Sequence, residues 1–236
     1  MARTIKIDNA LQKRFSKKNK KNEPRDLEAF FLIVCEGKKT EPNYFKSFPR
    51  RFGKKVHNIE LDGGGISTLK VVEKAIELRN KSKQKYDRVW AVFDRDSFRS
   101  TSFNSAILKA KANDIYCAWS NEAFELWYLF HFHNRITAMK REEYEKAIEN
   151  AINAKLPRSS PRFEYVKNHP GMYDLLKKFG NQDLAIRWAK DLSNKMVGEN
   201  FAQYNPQTQV FKLVEELNGK SEELNKEIEE KYQKGE

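Results

Sequence analysis

Two segments about sixty residues apart, Phe30 to Gly37 and Arg88 to Asp96, constrain this chain more than any other feature. Each is an apolar β-type run that stops abruptly on acids: Glu36 in the first, Asp94 and Asp96 in the second. In an open parallel sheet, side chains just past the carboxyl ends of neighbouring strands gather in one crevice. Three carboxylates from two strands would meet there as a site for a hard cation. On a basic protein, phosphodiester chemistry is the foremost use of such a site.

From Leu27 the chain alternates strand-like and helix-like segments. Strand Phe30 to Cys35 is followed by a short helix over Pro42 to Arg51, with Thr40 as its N-cap, Glu41 in its first turn, and Phe45 and Phe48 facing inward. A second strand runs from Val56 to Leu61, Gly63 to Gly65 form a turn, and Ser67 to Lys81 carries a helical apolar stripe. Strand Arg88 to Phe93, helix Phe103 to Ala112, strand Ile115 to Trp119 and a helix from about Asn121 to Phe132 complete a βαβα order. That order predicts an α/β fold with a mostly parallel sheet flanked by helices. Beyond Asn134 only helical patterns occur: Arg141 to Ala154, Met172 to Phe179, Asp183 to Leu192, and a last helix opening at Asn205-Pro206 with an apolar stripe from Val210 to Leu217. The C-terminal part is therefore expected to be all-helical, with the charged segment Ser221 to Glu236 a solvated or frayed helix. The expected organisation is a flexible basic arm over 1–26, a catalytic domain over 27–134 and a helical region over 135–236 packed on it.

Charge distribution narrows the function. Of the net charge of +12, Arg3 to Arg25 supply nine Lys or Arg against two acids, Asp8 and Glu23, so the remainder is only mildly basic. Such an arm binds phosphates nonspecifically or serves as a solubilising tail, and composition leaves both open. No apolar run of about 18 residues exists and no signal-peptide pattern opens the chain, which predicts a soluble, cytoplasmic protein without a membrane partner. The two cysteines, Cys35 and Cys117, exclude a cysteine-based zinc site and a disulfide framework. No P-loop is present, which argues against a nucleotidyl or phosphoryl transferase.

Asp94 and Asp96, two apart, can reach one cation, and Mg²⁺ or Mn²⁺ needs only two or three carboxylates beside water and substrate phosphate. Glu36 either completes that shell or acts as general base on the attacking water. Arg95, between the aspartates, is placed to contact phosphate or to form a salt bridge. Lys38 and Lys39 follow the first strand and touch phosphates or project into solvent. Asn121 is a helix cap or a substrate contact, and Glu125, amid Phe124, Leu126 and Trp127, is an acid in need of a partner: a cation, or a lysine. His131 and His133 lack acids in register and read as ordinary histidines.

Four ordered blocks, CEGKKTEPNYFKSF (Cys35 to Phe48), VWAVFDRDSF (Val89 to Phe98), SNEAFELWYLFHF (Ser120 to Phe132) and NPQTQVFKLVEEL (Asn205 to Leu217), together resemble the RloB-like family. The chain departs from the family at Glu122, where a proline is usual. The resemblance implies a Toprim-type (Rossmannoid) catalytic domain, as in topoisomerases, primases and OLD-type nucleases, with Glu36 as the strand-end glutamate and Asp94 and Asp96 as the Asp-x-Asp. It further implies a metal-dependent nuclease of phage defence acting on RNA, such as tRNA, or on DNA, with an AAA- or ABC-type ATPase as partner. The competing expectation is a non-catalytic nucleic-acid-binding or adaptor subunit. Oligomeric state is not legible in the sequence.

Overall fold

The computed structural model describes residues 26–65, 67–96 and 99–234; the basic arm expected over 1–26 lies, apart from Asp26, outside them. Its centre is a six-stranded sheet in the order β2-β3-β1-β4-β5-β6. The four inner strands, β1 (Leu27–Cys35), β3 (Lys55–Gly63), β4 (Arg88–Asp94) and β5 (Tyr116–Asn121), are parallel. Two-residue antiparallel strands, β2 (Arg51–Phe52) and β6 (Gln207–Thr208), close the edges.

Unbroken apolar sequence in β1 and β4 follows from burial on both faces. Phe31, Ile33 and Cys35 of β1, with Trp90 and Val92 of β4, enter one core cluster, whereas Leu32, Val34, Val89, Ala91 and Phe93 enter the other. Helices α2 (Thr68–Lys81) and α3 (Ser100–Lys111) cover the second face through Val71, Val72, Ala75, Phe103 and Ala106. On the first face pack α1 (Thr40–Lys46), α4 (Glu125–Phe130), α5 (Arg141–Lys155), α6 (Met172–Phe179), α7 (Gln182–Ser193), α8 (Val210–Leu217) and α9 (Glu222–Lys234). Residues on both sides of position 134 share that larger cluster, from Phe31 to Tyr144 and Leu213.

Three expectations change. The C-terminal part is not purely helical, because Gln207 and Thr208 pair with Asn121 and Ser120 as β6. The helix expected from Asn205-Pro206 starts at Val210, since the open edge of β5 captures the intervening residues. Nor is the terminal helix α9 merely solvated. Leu224 and Ile228 are buried, and the Tyr232 hydroxyl accepts a hydrogen bond from the Glu28 amide at 2.7 Å.

Below the sheet, Arg88 is 4% exposed and donates to Glu216 at 2.8 Å and to Glu227 at 2.6 Å, while the Trp90 indole N–H donates to the other Glu216 oxygen at 2.8 Å. This group ties α8 and α9 to β4. Removing one member of a buried pair strands the other charge. Glu216→Ala is therefore expected to cost about 3 to 5 kcal/mol in urea unfolding, and Glu227→Ala, whose carboxylate is half exposed, less than about 1 kcal/mol.

Candidate functional site: an acid-lined cavity at the strand ends

Parallel pairing aligns Cys35 with Val92, so β1 and β4 end side by side. Glu36 continues that ladder by donating its amide to the Val92 carbonyl at 2.8 Å, and its carboxylate accepts the Asp94 amide at 3.0 Å. The glycine turn after β3 locks the same corner: the Gly64 and Gly65 amides donate to the Cys35 and Glu36 carbonyls at 3.1 and 2.7 Å. A Cβ on Gly63 would lie 2.8 Å from the Gly37 carbonyl oxygen, so only glycine lets the two loops approach this closely. A Cβ on Gly37 would meet the Glu41 carboxylate, which would have to swing out of its place in the cavity wall.

These loops, with α1, α4 and the start of α5, enclose a cavity of about 410 Å³. Its walls carry five carboxylates, Glu36, Glu41, Asp94, Asp96 and Glu125, and four cations, Lys38, Lys39, Arg141 and Lys167. Of the residues expected from sequence, Glu36, Lys38, Lys39, Asp94, Asp96 and Glu125 are therefore brought together. Two are not. Asn121 is fully buried and donates to the Ala202 and Tyr204 carbonyls, so the expected substrate contact gives way to a tie between β5 and the 3₁₀ turn Phe201–Gln203. It does not cap α4 either, whose N-cap position is Phe124. Arg95 turns away from the cavity and donates to the Ser100 hydroxyl at 3.2 Å.

Sequence reasoning missed Glu41, Arg141 and Lys167 as cavity residues. Glu41 had a visible role in the first turn of α1, but only its buried side chain, folded back to accept the Gly37 amide at 3.3 Å, places it in the wall. Arg141 comes from 45 residues beyond Asp96 and bridges the two aspartates, donating at 3.3 Å to each. Asp94 also accepts the Phe124 amide at 3.0 Å through the same Oδ2. Its Oδ1 is shut from solvent and has no hydrogen-bond partner among the described residues. Glu125 accepts the Tyr165 hydroxyl at 3.1 Å. His131 is buried, stacks edge-on against Trp127 and is pushed down to about 4 by burial, and it lies outside the cavity.

Electrostatics follow from packing acids out of water. Burial first, then the neighbouring Glu41 and Asp96 charges, push Glu36 from an ordinary 4.5 to about 7, against the Asp94 amide and Arg141. Burial and the Glu41 and Glu125 charges raise Asp94 well above the usual carboxylate range. Glu41 is raised by burial and by Glu125. Burial alone would lower Arg141, but Asp94, Asp96, Glu125 and Glu122 outweigh it and hold it raised.

Among the described residues, no three His, Cys, Asp or Glu side chains stand in metal-holding geometry. Glu36, Asp94 and Asp96 line one wall, but the guanidinium of Arg141 lies between the aspartates and one Glu36 oxygen is spent on the Asp94 amide. The donor set nonetheless suits a hard divalent cation, being oxygen throughout, and the orphaned Asp94 Oδ1 is a buried acceptor that a proton, a water or a cation would satisfy. Glu36, Asp94 and Asp96 are the residues that would hold it.

A mostly parallel α/β sheet with an acid-lined crevice past its strand ends is the class of architecture that fold and site define. The RloB-like protein family matches residues 31–217, well over half of the 236 residues, and the chain belongs to that family. No curated protein and no solved structure matches it. No described helix is long and apolar enough to cross a membrane.

The raised Glu36 has a measurable consequence. Between its unfolded value of 4.5 and its folded value of about 7, the native state holds a proton that the unfolded chain has released. Stability is therefore lost as pH rises through this window, and the whole penalty is present above it. In EDTA-treated protein, Glu36→Gln is expected to add about 1 to 2 kcal/mol in urea unfolding at pH 8 and little at pH 4.5; equal gains at both would contradict the assignment.

Proposed function

We propose that this protein is a divalent-cation-dependent nuclease of phage defence, with a Toprim-type arrangement of Glu36, Asp94 and Asp96, cleaving phosphodiester bonds of RNA, such as tRNA, or of DNA. The observation that carries the reading is the buried, unpartnered Asp94 Oδ1 at the junction of two parallel strand ends, in a cavity of all-oxygen donors. Membership of the RloB-like family supports it through the family's resemblance to Toprim nucleases. When bound, Mg²⁺ or Mn²⁺ supplies polarisation of the scissile phosphate and neutralisation of charge on the leaving oxygen.

The chain's own groups have distinct tasks. Glu36, near neutrality in the cation-free site, either joins the aspartates around the cation or accepts the proton of a water attacking phosphorus. As the water oxygen bonds to phosphorus, the P–O ester bond breaks and its electron pair stays with the leaving oxygen. Asp94 and Asp96 present the carboxylates that hold the cation, with Asp94 fixed by the Phe124 amide. Lys38, Lys39 and Lys167, exposed on the rim, attract the phosphate backbone without reading its sequence. Glu125, held by Tyr165, lines the opposite wall. An AAA- or ABC-type ATPase that recruits or controls the nuclease fits the same reading.

One observation favours an adaptor instead: Arg141 already neutralises the two aspartates. The deciding experiment is incubation of the full chain with total RNA and with plasmid DNA in Mg²⁺ or Mn²⁺, beside Asp94→Asn, Asp96→Asn, which preserves acceptor oxygens for Phe124 and Arg141. Cation-dependent cutting that falls more than the roughly hundredfold typical of an outer-shell metal-site change is expected. Undiminished cutting by the double variant, or a folded wild type that binds no Mn²⁺ and cuts neither polymer, would sink the nuclease reading.

A further inference from the structure

We propose that Arg141 is the cavity's resting counter-ion: its guanidinium fills the cation position between Asp94 and Asp96, is displaced when a divalent cation binds there, and is thereby freed to take an oxygen of the substrate phosphate. This rests on the reading of the cavity as a divalent-cation site, and it adds a role for a residue 45 and 47 positions from the acids it pairs with.

Two features, the length of its contacts and its place in its helix, set Arg141 apart from the structural arginines of the same molecule. Its contacts are loose. Arg51 grips Asp26 with two nitrogens at 2.9 and 2.8 Å, and Arg88 reaches Glu216 and Glu227 at 2.8 and 2.6 Å, whereas Arg141 touches two separate carboxylates at 3.3 Å each. Charge-assisted pairs close to about 2.7 to 2.9 Å when built for stability. Its buried Nε lacks a partner among the described residues, as Nη2 of Arg88 does, but here the neighbouring Asp94 Oδ1 is orphaned as well. Finally, it is the first residue of α5, where the helix dipole disfavours a cation. Local helix energetics do not put an arginine there; the acids do.

The guanidinium and a divalent cation compete for the same oxygens. Both neutralise Asp94 and Asp96, and those oxygens cannot serve both at once. Displacement leaves a planar, permanently charged donor in a cavity whose rim already carries Lys38, Lys39 and Lys167, and such a fork suits two phosphate oxygens. The resting pair spares the protein an uncompensated acidic hole before cation arrives.

The test uses the full chain with Mn²⁺ alone, by titration calorimetry without nucleic acid. Arg141→Gln is expected to bind Mn²⁺ about tenfold more tightly than wild type, the factor corresponding to one lost competing ion pair. Arg141→Lys, which keeps the charge but cannot span both carboxylates, also binds more tightly. Affinity of Arg141→Lys equal to wild type would mean long-range repulsion only and would overturn the proposal, as would unchanged affinity in Arg141→Gln. With Ca²⁺ as a non-cleaving ion, binding of a fluorescent RNA oligonucleotide is expected to weaken about tenfold in Arg141→Gln; undiminished binding would overturn the phosphate role. Should the variants misfold, the wild-type Arg141 Nε–Hε resonance is expected to shift with Mg²⁺ along the calorimetric binding curve, and an unmoved resonance at saturation would overturn displacement. Mn²⁺ binding by wild type with none of these differences removes Arg141 alone, whereas no binding by wild type removes the cation site itself.

Discussion

The in-register parallel pairing of β1 with β4 is the contact on which the cavity depends. It brings Cys35 beside Val92 and so carries Glu36 and Asp94, 58 positions apart in the chain, to within one hydrogen bond of each other. A one-residue slip would turn Asp94 to the other face of the sheet, into the cluster with Leu32 and Val34. Burial of both strand faces guards against that slip, because Trp90 and Val92 would leave the larger core at the same time. Packing chosen for hydrophobic reasons thereby fixes the positions of two charges.

Five carboxylates in one cavity are costly for a fold to maintain, and the way they are held differs among them. Asp94 is anchored by a backbone amide, Glu41 by the Gly37 amide, Glu125 by a tyrosine and Glu36 by the Asp94 amide. For Glu36 and Glu41 the amide bonds favour the ionised form, while burial favours the neutral one. The outcome for Glu36, near neutrality, is a group that changes protonation in the range where a general base must work. The cavity thus gathers five acids against four cations in a chain whose net charge is +12.

Much of this was legible in the sequence. Strands β1 and β4 announced themselves as apolar runs cut off by acids, and the helices α2, α6 and α7 by period. What local signals could not give were decisions made by distant residues. Asn205 and Pro206 carry a helix-start signature, yet the vacant edge of β5 pairs with Gln207 and Thr208 and delays α8. The terminal helix looked solvated because it is so charged, although Leu224, Ile228 and Tyr232 recur every four residues on one side. Glu41 read as a helix-terminus charge, and Arg141 only as the start of a helix; both matter through where their helices begin relative to the strand ends.

The hydrogen bond from Glu28 to Tyr232 spans 204 residues, and Arg88 to Glu227 spans 139. The central strands, laid down early in the chain, are thus covered on one face by its last helices. Such closure raises contact order, which slows folding and leaves the apolar face of β1 and β4 open until the end of the chain has been made. These late helices fasten the amino-terminal ends of β1 and β4, at Glu28 and Arg88, so the contacts that close the fold lie at the opposite end of the strands from Glu36 and Asp94 and leave the crevice open to solvent.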